Sequence, residues 1–163
     1  MSAFDVMKEI NLLDWNTLLV GLERGWCEKK SLIDFSEIVF ARVSGEIDGD
    51  LLTMVLGESV SDDELISTGL RYLETCGQAM SQDKKNEAIE KWRFAHLSSL
   101  LQSENSDEEK IAVLQELYAE FGFPEDMASC SIYSRDQIDP LLAAARVAED
   151  LSRRFLSASP DVK

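Results

Sequence analysis

The groups in this sequence most able to act on another molecule are carboxylates. Asp48, Asp50, Asp62, Asp63, Glu108, Glu109, Glu125 and Asp126 stand in two acid runs, and the aromatic Tyr133 follows the second. Residues 46 to 64 hold seven acids and no base, and residues 104 to 126 hold eight acids against Lys110, so each run carries a formal charge of -7. Together they account for 14 of the chain's net -15. Such a field repels nucleic-acid backbones and anionic lipid headgroups, and it attracts and steers basic proteins. A plainer reading stands beside this one: acids at helix starts oppose the helix dipole and serve solubility and capping. Calcium binding fails on spacing. In an EF-hand register from Asp48, Leu52 falls at a ligand position and Thr53 where the sharp turn needs glycine.

Other chemistry is sparsely represented. The single histidine, His96, has Arg93 three residues before it, so the Glu-x-x-His spacing of di-iron bundles is missing and a multi-histidine zinc site is ruled out. Cys27, Cys76 and Cys130 are odd in number and form no Cys-x-x-Cys pair, which fits reduced structural thiols. The sequence contains no glycine-rich phosphate loop and no Gly-x-Ser-x-Gly elbow. The carboxylates lack the apolar setting that separates an acid from a base. These features predict a protein without catalytic activity, metal or cofactor.

Helices must position the acid runs. Trp15, Leu18, Leu19 and Leu22 make an apolar stripe on a 3.6-residue period, with Asp14 as N-cap, and Gly25 and Trp26 fit a left-handed stop whose tryptophan folds back. Ser31 is the predicted cap of a second helix with Leu32, Phe35, Ile38, Val39 and Val43 inward, which makes an antiparallel hairpin with the first. Gly49 and Gly57 bracket a short helix around Leu51, Leu52, Val55 and Leu56. Ser61-Asp-Asp-Glu64 and Ser106-Asp-Glu-Glu109 are capping-box patterns. They open helices carrying Leu65 to Leu73 and Ile111 to Phe121, separated by a long helix with Ile89, Trp92, His96 and Leu100 on one face. Gly122 and Pro124 end the second of these, residues 123 to 138 read as an irregular loop, and Asp139-Pro140 starts a last helix through Leu142, Ala145, Val147, Ala148, Leu151 and Phe155.

The expected fold is therefore all-α: a single-domain bundle of about six to eight helices built on an N-terminal helical hairpin. It would span residues 1 to 156, with 157 to 163 a frayed tail. At 163 residues the chain suits one domain. No stretch approaches the roughly 20 apolar residues of a membrane span, and the opening Met-Ser-Ala-Phe-Asp-Val-Met-Lys lacks a signal-peptide layout, so the cytoplasm is the expected compartment.

Four features resemble a small bacterial helical family, many of whose members are believed to be immunity proteins of polymorphic-toxin and contact-dependent growth inhibition systems. They are Trp15-x-x-Leu18-x-x-Gly21-x-x-x-Gly25-Trp26, the Trp92-containing helix, Phe121-Gly122-Phe123-Pro124-Glu125, and the Tyr133 to Asp139 connection. The resemblance implies a cytoplasmic partner that neutralises a cognate toxin domain, often a nuclease, and it transfers no catalytic motif. A basic nuclease suits an acidic inhibitor because its phosphate-gripping surface is positive. The predicted contact surface joins the two acid runs through Asp48, Asp50, Asp62, Asp63, Glu108, Glu109, Glu125, Asp126 and Tyr133, the acids steering and the tyrosine anchoring. No direct binding of nucleic acid or membrane is expected. The alternative is an acidic cytoplasmic secretion chaperone or adaptor, which generally mixes strands with helices.

Overall fold

A computed structural model describes residues 1–156, so the predicted frayed tail at 157 to 163 lies outside the described residues. The fold is all-α. Among the described residues eight α-helices run in the order α1 (Ala3–Glu9), α2 (Trp15–Arg24), α3 (Lys29–Arg42), α4 (Gly49–Val55), α5 (Asp62–Thr75), α6 (Gln82–Gln102), α7 (Asp107–Glu120) and α8 (Pro140–Leu156). Short 3-10 helices occupy Gly57–Ser59 and Glu125–Cys130, and no strand occurs among the described residues. The chain divides into two compact units, one of Asn11–Ile89 and one of Met1–Ile10 with the chain from Glu90 onward; the division falls within α6.

In the Asn11–Ile89 unit, α2 begins as its sequence demands. Asp14 accepts from the Thr17 amide at 2.8 Å while the Thr17 hydroxyl takes the Asp14 amide, a reciprocal box that satisfies two orphan donors. The helix ends at Gly25 with φ of 76°, where the Trp26 amide donates to the Gly21 carbonyl at 2.7 Å and the Gly25 amide to Leu22. That bond pair is a Schellman stop, and glycine supplies its left-handed residue without a Cβ penalty. Leu18, Leu19 and Leu22 are buried, and Trp15 sets its ring edge-on to Phe35 at 4.8 Å. α2 packs on α5, where a Cβ at Gly69 would meet Leu19 Cδ2 at 2.5 Å, so a residue without a side chain lets the two helices approach.

The helix after that stop departs from the sequence expectation. α3 begins at Lys29 with Glu28 as N-cap, not with Ser31, because the Ser31 amide already donates to the Glu28 carbonyl inside the first turn. Lys29 Nζ ties this start to the Glu58 and Val60 carbonyls at 2.6 and 3.0 Å. The buried face is Leu32, Ile33 and Ser36, whereas Ile38 and Val43 are exposed. Burial of Ser36 is tolerated because its hydroxyl donates to the Leu32 carbonyl at 2.7 Å.

In the other unit, Trp92, Leu97, Leu114, Met127, Cys130 and Ala144 are fully buried. Ser106 caps α7 by accepting from the Glu109 amide, as Ser61 caps α5 by accepting from Glu64. The reciprocal half of a capping box forms at Ser2 with Asp5 and at Asp14 with Thr17 instead. α7 stops at Gly122, φ 78°, and Phe123 follows with its ring edge-on to Tyr118 at 5.1 Å. The segment from 123 to 138 is less irregular than its sequence suggests, since six of its residues form the 3-10 helix. In α8 the buried face is Ala143, Ala144, Val147, Ala148 and Leu151, while Leu142 and Ala145 point outward.

Candidate functional site

Of the nine residues selected from the sequence, Asp48, Asp50, Asp62 and Asp63 belong to the Asn11–Ile89 unit; Glu108, Glu109, Glu125, Asp126 and Tyr133 belong to the other. Their joining into one surface is a property of neither unit, so each group stands by itself.

In the first group two acids are engaged within the fold. Asp48 is the N-cap of α4 and accepts from the Asp50 and Leu51 amides at 2.8 and 3.1 Å. Asp50 receives the Arg71 guanidinium through Nε and Nη2 at 2.9 to 3.2 Å. The Asp50 bond holds the Arg71 guanidinium above its ordinary pKa. Asp62 and Asp63 differ: they lie in the exposed first turn of α5, with Glu64, and pair with no base among the described residues.

The same run displays exposed aliphatic side chains on and beside the short helix expected around Leu51, Leu52, Val55 and Leu56. Ile47 is 55%, Leu52 38% and Leu56 66% exposed. Ile47 stands at N′ and Leu52 at N4 of α4, the positions a hydrophobic staple joins, and Leu56 is four residues beyond Leu52 on the same face. The staple spacing was a signal for this row; its exposure was not legible, because Leu51 and Met54 supply the buried side of so short a helix.

In the second group Asp126 is also engaged. Arg93, whose side chain is 5% exposed, donates to Asp126 at 2.7 and 3.0 Å and to Glu90 at 3.2 and 2.5 Å. Burial works against the Arg93 charge, and the Asp126 and Glu90 bonds outweigh it, so its pKa is raised. Glu108 and Glu109 are exposed in the first turn of α7 and Glu125 is exposed at the start of the 3-10 helix; none pairs with a base among the described residues.

Tyr133 is the most exposed large hydrophobic side chain of the described residues, at 86%. Its backbone is held from beneath. The Gln115 amide donates to the Cys130 carbonyl at 2.9 Å and accepts from the Ile132 amide at 3.1 Å, spanning the loop the way a neighbouring strand would. The Tyr133 amide donates to Ser131 Oγ at 3.0 Å, and the Ser129 hydroxyl bonds Asp136, which also accepts from the Ile138 amide at 3.1 Å. The Ser129 bond leads the causes that hold the Asp136 carboxyl below the usual range. Ile132 and Tyr133 are thus presented on a braced loop. Gln115 was missed from sequence because a mid-helix glutamine looks like any solvated helix residue.

A family model described as an uncharacterized protein conserved in bacteria, DUF2247, matches residues 4–157. The chain belongs to this family. No curated protein and no solved structure matches it. The DUF2247 match spans both compact units, so both acid runs are included in the matched region. Among the described residues of this DUF2247 chain no group of three or more His, Cys, Asp and Glu side chains could hold a metal ion, and no helix is long and apolar enough to cross a membrane. Burial pushes the Cys27 thiol up to about 12 and the Cys130 thiol to about 11, so both stay protonated at neutral pH. Burial also lowers the His96 imidazole, against an opposing pull from Glu120.

Proposed function

We propose that this protein is a binding protein of the immunity type, which neutralises a cognate toxin domain with a basic surface, a nuclease of a contact-dependent inhibition system being the class its charge fits best. One observation carries the reading: Asp62, Asp63, Glu108, Glu109 and Glu125 face solvent without a basic partner among the described residues. Exposed acids left unneutralised raise the association rate with a positive protein and mimic the phosphates such a nuclease grips. The braced Tyr133 supports the same reading. A rigid, amphipathic aromatic loses little entropy on binding and suits the anchor position of an interface. The family resemblance of the Trp15 to Trp26 motif points the same way. The secretion-chaperone alternative, which generally includes strands, draws no support from a fold without strands among the described residues.

The test is growth. If the gene adjacent to this chain's encodes an exported protein ending in a small basic domain, a bacterial strain expressing that domain is expected to stop growing, and co-expression of this chain is expected to restore growth. Substituting Asp62, Asp63, Glu108, Glu109 and Glu125 by lysine is expected to abolish that protection. Equal protection by the substituted chain contradicts the reading, as does failure of the unsubstituted chain to protect.

A further inference from the structure

We infer that the exposed row Ile47, Leu52 and Leu56, set inside the acid run from 46 to 64, docks a basic amphipathic helix of the partner protein. The inference deepens the proposed function and rests on it for the partner's identity. It adds a recognition element that the acids alone do not define.

Three observations lead to it. First, large aliphatic side chains turned to water forgo the favourable burial available to them, and here three do so along one short stretch, Ile47 just before α4, Leu52 within it and Leu56 at its C-cap. Second, the row extends over the two turns of α4, about 10 Å at 1.5 Å per residue. That length matches the i, i+3, i+4 and i+7 anchors of a second helix laid alongside, the helix-in-groove mode of recognition. Third, the charge around the row selects the occupant. The run contributes seven acids and no base, with Glu46, Glu58, Asp62, Asp63 and Glu64 all exposed. Among the described residues two bases reach this run from outside, Arg71 paired with Asp50 and Lys29 tied to the Glu58 and Val60 carbonyls, and the acids still outnumber them seven to two. A second copy of this chain would bring another -7 against the first, and an anionic membrane would be repelled likewise. A helix with apolar anchors flanked by lysine or arginine meets both demands.

The probe is a synthetic 15-residue helix with leucine at i, i+3, i+4 and i+7 and lysine at the flanking positions. Two controls accompany it, one with glutamate for lysine and one with the same residues in an order that scatters the leucines. Methyl NMR of the full chain is expected to show shifts at Ile47, Leu52 and Leu56 on adding the lysine helix, with binding at least about tenfold weaker for either control. Leu52→Gln with Leu56→Gln is expected to weaken binding by about tenfold or more, since two partly exposed leucines lose their burial. The melting temperature should fall by no more than a few degrees, because neither side chain is in the core and only Leu52 is largely covered within the fold. Methyls that do not move overturn the inference; so does equal binding of the glutamate helix, or self-association of the chain through these methyls without peptide. The growth assay separates the two levels. Full protection by the Leu52→Gln, Leu56→Gln chain sinks the docking row and leaves neutralisation standing. A chain that binds the lysine helix through these methyls but protects no cell keeps the row and removes its assigned partner.

Discussion

Asp50 and Asp126 look alike in the sequence, each an acid in a run of acids, and each forms a two-oxygen pair with an arginine of its own compact unit. The arginines differ. Arg71 is exposed, so water can replace Asp50 at little cost, whereas Arg93 is buried and relies on Asp126 and Glu90 for its compensation. The same residue type is therefore an ornament of the surface in one unit and a structural tie in the other. The lesson is that the burial of the partner, not the acid itself, decides what a carboxylate contributes.

Replacing Asp126 should produce the largest effect. Asp126→Ala leaves the buried Arg93 guanidinium to Glu90 alone, which costs about 2 kcal/mol and lowers the melting temperature by roughly 4 to 8 °C for a chain of this size. A melting curve that shifts by less than about 2 °C would erase the contrast with Asp50. Next comes the brace beneath Tyr133. Gln115→Ala removes two hydrogen bonds to the Cys130 and Ile132 backbone and is expected to cost about 1 to 2 kcal/mol. Amide exchange at Ile132 and Tyr133 should accelerate while that of α6 is unchanged. Asp50→Ala completes the comparison with the smallest loss of the three, a melting temperature within about 2 °C of the parent chain, because an exposed pair is largely replaced by water.

Two smaller effects sharpen the contrast between the units. His96 lies in the unit that holds Arg93, and burial lowers its pKa below the ordinary 6.5. Below about pH 6.5 the unfolded chain takes up a proton that the folded chain does not. Stability from this group is thus fully present above pH 6.5 and is lost as the pH falls toward the lowered value. The drop in melting temperature between pH 7.5 and 5.5 is expected to be smaller for His96→Gln than for the parent chain. Thiol labelling offers a second measure. Cys76 is exposed, while Cys27 and Cys130 are shielded with pKa values near 12 and 11, so one thiol per molecule should react quickly at pH 7.5.

Much of the fold was legible because its punctuation is local. Asp14, Ser61, Ser106, Gly25 and Gly122 act on backbone groups within a few residues, and each does what its type and spacing imply. The inward face of α3 was not legible, since Leu32 belongs equally to a stripe through Phe35 and Val39 and to one through Ile33 and Ser36. A serine hydroxyl satisfied by Leu32 settles the choice, and that is a fact of packing. The acids divide on the same principle. Asp62, Asp63, Glu108 and Glu109 belong to first turns and are exposed, as helix starts usually are. The partners of Asp50 and Asp126 lie 21 and 33 residues away, and no local pattern announces them.

The central claim is that exposed, unneutralised carboxylates recognise a positively charged protein. The most direct test is stopped-flow association of this chain with a basic nuclease toxin domain that it protects against in the growth assay, across ionic strengths from about 20 to 500 mM, where the screening length shrinks from roughly 20 to 4 Å. The account predicts an association rate that falls by at least tenfold over that range, with a much flatter dependence for the chain bearing lysine at Asp62, Asp63, Glu108, Glu109 and Glu125. A rate indifferent to salt, or identical for the two chains, would contradict it.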